Sequence, residues 1–443
     1  MHLSSSQETA QLDASDRAFS GPWQDMSAAS KTFRSRWPLR QAALLIFRDP
    51  PPESCARLIG PSSQQWRRLL RWLDYSGLAL YFLDRMQELG WVQQIPAAVL
   101  VRLRRNQADN SERTWAMLRE TIAIHACFQE ANLSHAVLKG ISLSPLSVPR
   151  PELRSQFDLD FLVAEPDAPQ AWKILESRGY RLYSATSRSL EFKFNEKPGI
   201  SLKELYKNLP SFAVELHLEP KLERNRSVLR RSDRREIFGS SVPVLSPVDI
   251  LLGQGLHAFK HLCGEFTRAS HLLEFRRHVL TRYRDNAFWE KLRAIGENAP
   301  GASLALGTVI LLITSVMGEF APDELTSWTV SRVPMPVRLW VDLYGRRAVF
   351  GSIPGSKLYL LLQSRLEQKD SRASLSIRRR LFPLRPPLPI VRAFPNETFA
   401  FKLSRYHMQL RHCSSRLCFH VVEGIRYAWH AYRWRQRLSK LTP

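Results

Sequence analysis

Two aspartates one residue apart inside an apolar run constrain this chain more than any other feature. The run is LRSQFDLDFLV, Leu153 to Val163. Aspartate is a poor strand former, so a strand selected for packing alone would not carry Asp158 and Asp160. Alternation along a strand puts Phe157, Leu159 and Phe161 on one face and both aspartates on the other. Two strand steps separate their α-carbons by roughly 6.5–7 Å. From there the carboxylates converge on one divalent ion, or on two ions about 3.5–4 Å apart. Without a cation they repel and raise each other's pKa. Magnesium, a hard cation that prefers oxygen ligands, relieves that repulsion.

A second run, FAVELHLE, repeats the arrangement. Phe212, Val214, Leu216 and Leu218 face a core, while Glu215, His217 and Glu219 face the other way. If the two strands are neighbours, Glu215 stands beside Asp158 and Asp160. Upstream, the short apolar run HAVL ends in Lys139–Gly140 and small residues, as where a strand turns into a helix. Three carboxylates beside such a turn suit phosphoryl chemistry. Turn amides hold phosphate oxygens, and carboxylates hold the metals that neutralise charge at the transferring phosphorus. A lone D-x-D is more often a solvated face. It is the order of strand, K-G turn, D-x-D strand and acidic strand, within about eighty residues, that favours chemistry.

The surrounding texture sets the organisation. A polar, aperiodic tail spans 1–35, a helical region 36–130, a small α/β or α+β sheet domain 131–245, a second helical region 246–345, and a basic, proline- and aromatic-containing region 346–443. The helix expected in EPDAPQAWKILESRGY has Asp167 as its cap, Pro169 in its first turn and Gly179 as its stop. The last region reads as short helical pieces around LFPLRPPLPIVRAFP, closing with IRYAWHAYRWRQRLSK.

Charge and cysteines narrow the setting. The formal net charge is +23, and from Arg346 onward twenty Lys and Arg meet four Asp and Glu. A field of that kind attracts nucleic acid, anionic lipid or polyanionic substrates. The tail lacks the charged start and apolar centre of a signal peptide, and Cys55, Cys127, Cys263, Cys413 and Cys418 are scattered. A cytoplasmic protein with free thiols is expected, with contact to a membrane periphery left open by the basic C-terminal region. The uncharged stretch Gly301–Gly318 is short for a span and contains Gly, Ser and Thr, so a buried helix is expected rather than a transmembrane anchor. His257 and His261, four apart in LHAFKHL, would share a helix face. No Glu lies between them in HExxH fashion and no third ligand is evident, so packing or substrate contact is expected.

The segments HAVLKGISLSPL, LRSQFDLDFLVAEPDAPQAWKILESRGYRL and FAVELHLE, with LHAFKHLCGEFTRASHLLEF, resemble an uncharacterised nucleotidyltransferase family within the DNA polymerase β-like superfamily. The likeness covers most of the chain from about residue 40. It implies an α+β fold, with a small mixed-sheet nucleotidyltransferase core flanked by N- and C-terminal helical regions. It also implies transfer of a nucleoside monophosphate from a magnesium-bound nucleoside triphosphate, often ATP, to a hydroxyl, with release of pyrophosphate. By matching position, Asp158 and Asp160 would be metal ligands, with two Mg2+ ions expected. Glu215 would be a third ligand or the base. Gly140 and Ser142 would lie at the triphosphate turn with Lys139 close by, Arg154 would contact phosphate, and His217 could assist. The turn here reads Lys-Gly-Ile-Ser where a G-G or G-S pair is usual, and Glu215 stands where aspartate is usual. Two other readings remain: a catalytically weak protein of this fold that binds nucleic acid or anionic membrane through its C-terminal region, and a phosphotransferase using the same site.

Overall fold

The computed structural model describes residues 37–194, 205–207, 212–220, 227–237, 239–366, 377–383 and 397–440. The expected tail over 1–35 and the proline-rich run over 384–396 lie outside them.

Seven strands make one mixed sheet: β1 (His135–Val137), β2 (Asp158–Ala164), β3 (Arg181–Ala185), β4 (Ser189–Lys193), β5 (Ala213–Glu219), β6 (Asp233–Ile237) and β7 (Ser240–Val244), in the order β3-β4-β5-β2-β1-β7-β6. β2 and β5 pair in parallel at the centre, Asp160 opposite Glu215 and Leu162 opposite His217. The hairpin β3–β4 lies outside β5, so the chain makes an excursion to the sheet edge before returning to lie against β2. Alternation then separates the faces. Leu159, Phe161, Val163, Val214 and Leu216 are buried against Met117, Leu118, Ile124 and Phe128 of helix Ala97–Glu130 and Ala171 and Leu175 of helix Ala168–Ser177. Phe128 meets Phe161 edge-on at 5.6 Å, a favourable aromatic geometry. The polar face of β2 and β5 is left free of that core.

A second core is mainly helical. Helices Pro38–Leu45, Ser63–Ser76 and Ala79–Glu88 share it with Pro247–Leu262, Ala269–Thr281, Asn286–Glu297 and Ala302–Met317. The two helical stretches that flank the sheet in sequence thus meet in one body. Helix Ala97–Glu130, 34 residues long, joins the two cores, with Leu103 in the helical one and Phe128 in the sheet. Gly77 ends helix Ser63–Ser76 in the left-handed conformation (φ +76), and a β-carbon there would lie 2.6 Å from Ser270 Oγ. Glycine is needed at that turn on both grounds.

The apolar stretch after Gly301 is helix Ala302–Met317, buried within this body. Among the described residues no helix is long and apolar enough to cross a membrane. Two local expectations are corrected. Asp167 makes no side-chain cap to the helix that follows it; its Oδ2 accepts from the Ser134 amide at 3.0 Å and ties the helix start to β1. The end of the chain is one helix, Phe399–Ser439, rather than short pieces. It holds no proline, and its Gly424 sits against the Phe382 ring, where a β-carbon would approach to 2.8 Å. Phe399, Leu403, Leu410, Leu417, Ile425 and Trp429 stand exposed along it.

Candidate active site

The site is built where β1 ends over the polar face of β2 and β5. Lys139 and Gly140 both take positive φ, +40 and +35. That conformation costs a lysine steric energy and suits a glycine. A β-carbon on Gly140 would also fall 2.3 Å from Gln156 Oε1. The turn is fastened from inside: Ser142 donates through its amide and its hydroxyl to the Lys139 carbonyl, at 2.7 and 2.8 Å. Ser142 thus lies at the expected turn, fully buried, with its hydroxyl spent on the Lys139 carbonyl. A small cavity beside the turn is lined by Gly140, Ile141, Gln156, Asp158 and Asp160.

The parallel register of β2 and β5 brings the acidic residues together. His217 Nε2 lies 2.9 Å from Asp160 Oδ1 and 3.3 Å from Glu215 Oε2. Lys139 Nζ donates to Asp160 Oδ1 at 2.8 Å and lies 3.1 Å from His217 Nε2. Asp160, Glu215 and His217 each place a donor atom within 4.8 Å of the other two, a set able to hold a metal ion. Asp158 sits at the mouth, reached by solvent, whereas Asp160 is buried. Glu219 is not part of this group. Its carboxylate accepts from Ser227 Oγ at 2.7 Å and the Val228 amide at 2.6 Å, fixing the chain beyond β5.

Electrostatics differentiate the carboxylates. Burial would raise Asp160, but the His217 hydrogen bond and the Lys139 ammonium outweigh it and hold the carboxyl below its ordinary range. Asp158 moves the other way: loss of surrounding water in the crowded cleft, then the Asp160 charge, push it up. The His217 hydrogen bond holds Glu215 low against its partial burial. Burial would drive His217 neutral, yet its bonds to Asp160 and Glu215 raise it overall. Asp160 and Glu215 are therefore already met by nitrogen donors, the Lys139 ammonium and the His217 imidazole, where a divalent ion would supply positive charge. Oxygen donors from two strands with an imidazole beside them fit a hard cation or a borderline one.

Arg154, expected at phosphate, reaches the neighbourhood of Asp158 and Asp160, and its charge is felt there. Its Nε also pairs with Glu274 of helix Ala269–Thr281 at 3.3 Å, and Glu274 takes a further bond of 2.9 Å from Tyr81. Glu274 and Tyr81 come from elements far from the motif in sequence, and no local signal marks them. Gln156 was accessible: it precedes Asp158 by two residues and so falls on the same strand face. His271, ten residues beyond His261, completes a group of three histidines with His257 and His261, and this third member is what the four-residue spacing alone did not disclose.

Among solved structures, the enzyme ANT(2")-Ia in complex with adenylyl-2"-tobramycin is similar at 15% identity over 40% of this chain and 95% of that chain, TM-score 0.30. An antigenic nucleotidyltransferase-like protein from Paracoccidioides brasiliensis matches at 17% identity over 43% and 91%, TM-score 0.28. No curated protein matches the chain. The sequence model of one family, described as uncharacterised nucleotidyltransferase, matches residues 62–318. That span exceeds half of the chain, contains the β1 turn, both acidic strands and the helices carrying Glu274 and the three histidines, and places the chain in the uncharacterised nucleotidyltransferase family.

Proposed function

We propose that this protein transfers a nucleoside monophosphate from a magnesium-bound nucleoside triphosphate to a hydroxyl of a small molecule, sugar, peptide or protein. The observation that carries the reading is the parallel pairing of β2 with β5, which sets Glu215 beside Asp160 with His217 bridging them. Asp158, Asp160 and Glu215 would hold the metal, with two ions as the expected number. Magnesium, when bound, supplies positive charge at the transferring phosphorus. The low-held Glu215 carboxyl favours its role as a ligand over that of a base.

The chain's own groups do the rest. The Lys139–Gly140 turn lets the backbone approach the phosphates, and the Lys139 ammonium is free to move from Asp160 to a phosphate oxygen. Arg154 adds a second cation held in place by Glu274. Ser142 keeps the turn in shape. His217 orients Asp160 and Glu215. The acceptor oxygen bonds to the α-phosphorus, its proton leaves to a carboxylate or water, and the bond from the α-phosphorus to the bridging oxygen breaks as pyrophosphate departs. Scattered free cysteines and the use of a nucleoside triphosphate are in keeping with a cytoplasmic setting.

A second reading has an observation of its own. Helix Phe399–Ser439 carries exposed Leu403, Leu410, Leu417 and Ile425 among basic residues, as a helix bound to nucleic acid or anionic lipid would. Incubation with α-labelled triphosphates and magnesium, beside an Asp158→Asn/Asp160→Asn double variant, tests the proposal. Labelled acceptor and free pyrophosphate from the wild type alone support it. Transfer of the γ-phosphoryl group instead makes the protein a phosphotransferase. No product across a broad acceptor panel refutes both chemistries.

A further inference from the structure

Arg154 links the acidic strands to a second wall, made by helices Pro247–Leu262 and Ala269–Thr281 and the turn between them, through its pair with Glu274. The rings of His257, His261 and His271 converge with centroids 4.5, 4.8 and 5.0 Å apart, and His257 and His261 approach to 3.1 Å between their Nε2 atoms. His271 is buried and its Nδ1 has no partner. Beside it Arg268, half-buried, has its Nε shut off from solvent and also without a partner. Glu274 is the carboxylate whose charge Arg268 feels most, but Glu274 is already committed to Arg154 and Tyr81.

Three imidazoles could hold a transition metal, and the surroundings decide against it. The charges that reach these rings are those of Lys139, Arg154, Lys260 and Arg268, every one a cation. A divalent ion there would meet repulsion from each of them, and Glu274, the carboxylate that Arg268 feels, is committed to Arg154 and Tyr81. An anion would meet the opposite. Burial, followed by those cations, keeps His257 neutral down to about 3 and holds His261 and His271 low as well. One of His257 and His261 spends its single N–H on the other, so two neutral rings still offer an N–H donor, and Arg268 offers a planar fork suited to phosphate oxygens. Enclosing a guanidinium Nε without a hydrogen-bond partner is costly, and a bound oxyanion would remove that cost. Lys139 and Arg154 connect the two walls, since their charges reach both this cluster and Asp160.

We infer that Arg268, His257, His261 and His271 form a receptor for a phosphate oxyanion, taking the terminal phosphates of the nucleotide and holding pyrophosphate after transfer. The identity of the ligand as a triphosphate tail rests on the nucleotidyl-transfer reading; the receptor's preference for an oxyanion does not.

Calorimetric titration with inorganic pyrophosphate, and separately with AMP, tests this without turnover. The wild type should bind pyrophosphate, and Arg268→Gln should weaken that binding at least about tenfold while changing AMP affinity by less than about twofold. Should Arg268→Gln not fold, His257→Gln, at a half-buried position, carries the test with the same expected direction. Pyrophosphate bound equally by wild type and both variants overturns the inference, as does a wild type that binds none. Stoichiometric Zn2+ binding abolished by His257→Gln or His261→Gln overturns it in favour of a metal site. Normal pyrophosphate binding with no nucleotidyl product would sink the proposed transfer and leave the receptor standing.

Discussion

The sheet wall and the helix wall of this cleft handle charge in opposite ways. On β2 and β5 the groups are balanced internally: Asp160 is met by Lys139 and His217, and Glu215 by His217. On the two helices Arg268 and His271 are enclosed with polar atoms unmatched. A balanced wall can wait for a metal at little cost, because Lys139 and His217 stand in for it. An unbalanced wall is stored cost that only an incoming anion relieves. The difference divides the labour expected of a metal-triphosphate site, with cations taken on one side and phosphate on the other.

The strongest way to break the comparison is to neutralise the sheet wall. Asp160→Asn removes the carboxylate that Lys139 and His217 share, and nucleotidyl transfer should fall by about a hundredfold or more. Initial rates within about threefold of wild type would show that the balanced wall is not the metal wall. The next effect concerns stability. Arg154→Gln takes from Glu274, whose side chain is 3% exposed, its paired guanidinium and leaves it the Tyr81 hydroxyl, and should cost on the order of 3 kcal/mol in chemical unfolding. Arg268→Gln, removing an unmatched charge, should cost nothing measurable or stabilise the fold. Equal losses from the two arginines would erase the proposed contrast between a paired and an unpaired guanidinium.

A graded effect comes from the buried histidines, of which His135 and His278 lie outside both walls. Burial pushes His135 down to about 4 and His278 to about 3. In the unfolded chain each takes up a proton near the ordinary value of about 6.5. The unfolded state therefore binds more protons below that pH, and stability is lost as pH falls from about 6.5 toward 4, by at most about 1.4 kcal/mol per unit per histidine. Urea midpoints at pH 7, 6 and 5 should show this fall, and His135→Gln should remove its share of the slope. His217 on the sheet wall is raised, so its variant should leave that acid slope in place.

Local periodicity made the sheet wall legible. Alternation in FDLDFLV and FAVELHLE sorted Leu159, Phe161, Val214 and Leu216 inward, and Asp160, Glu215 and His217 onto the other face, where the structure has them. Glu219 broke the pattern by turning to Ser227, a choice set by the chain beyond the strand. The helix wall was hidden because its members gain meaning only through packing. Arg268 and His271 resemble ordinary helix residues until the sheet brings Lys139 and Arg154 against them. The length of helix Phe399–Ser439 was masked by the prolines before it and by Gly424, which the Phe382 ring accommodates.

The most direct test of the central claim is a crystal structure with Mn2+ and a triphosphate analogue that resists cleavage between its α- and β-phosphates, examined by anomalous scattering. The account predicts manganese peaks against Asp160 and Glu215, the α-phosphate beside them, and the terminal phosphates toward Arg268. Manganese bound elsewhere, or a nucleotide lying outside the space between β2, β5 and helix Ala269–Thr281, would contradict it.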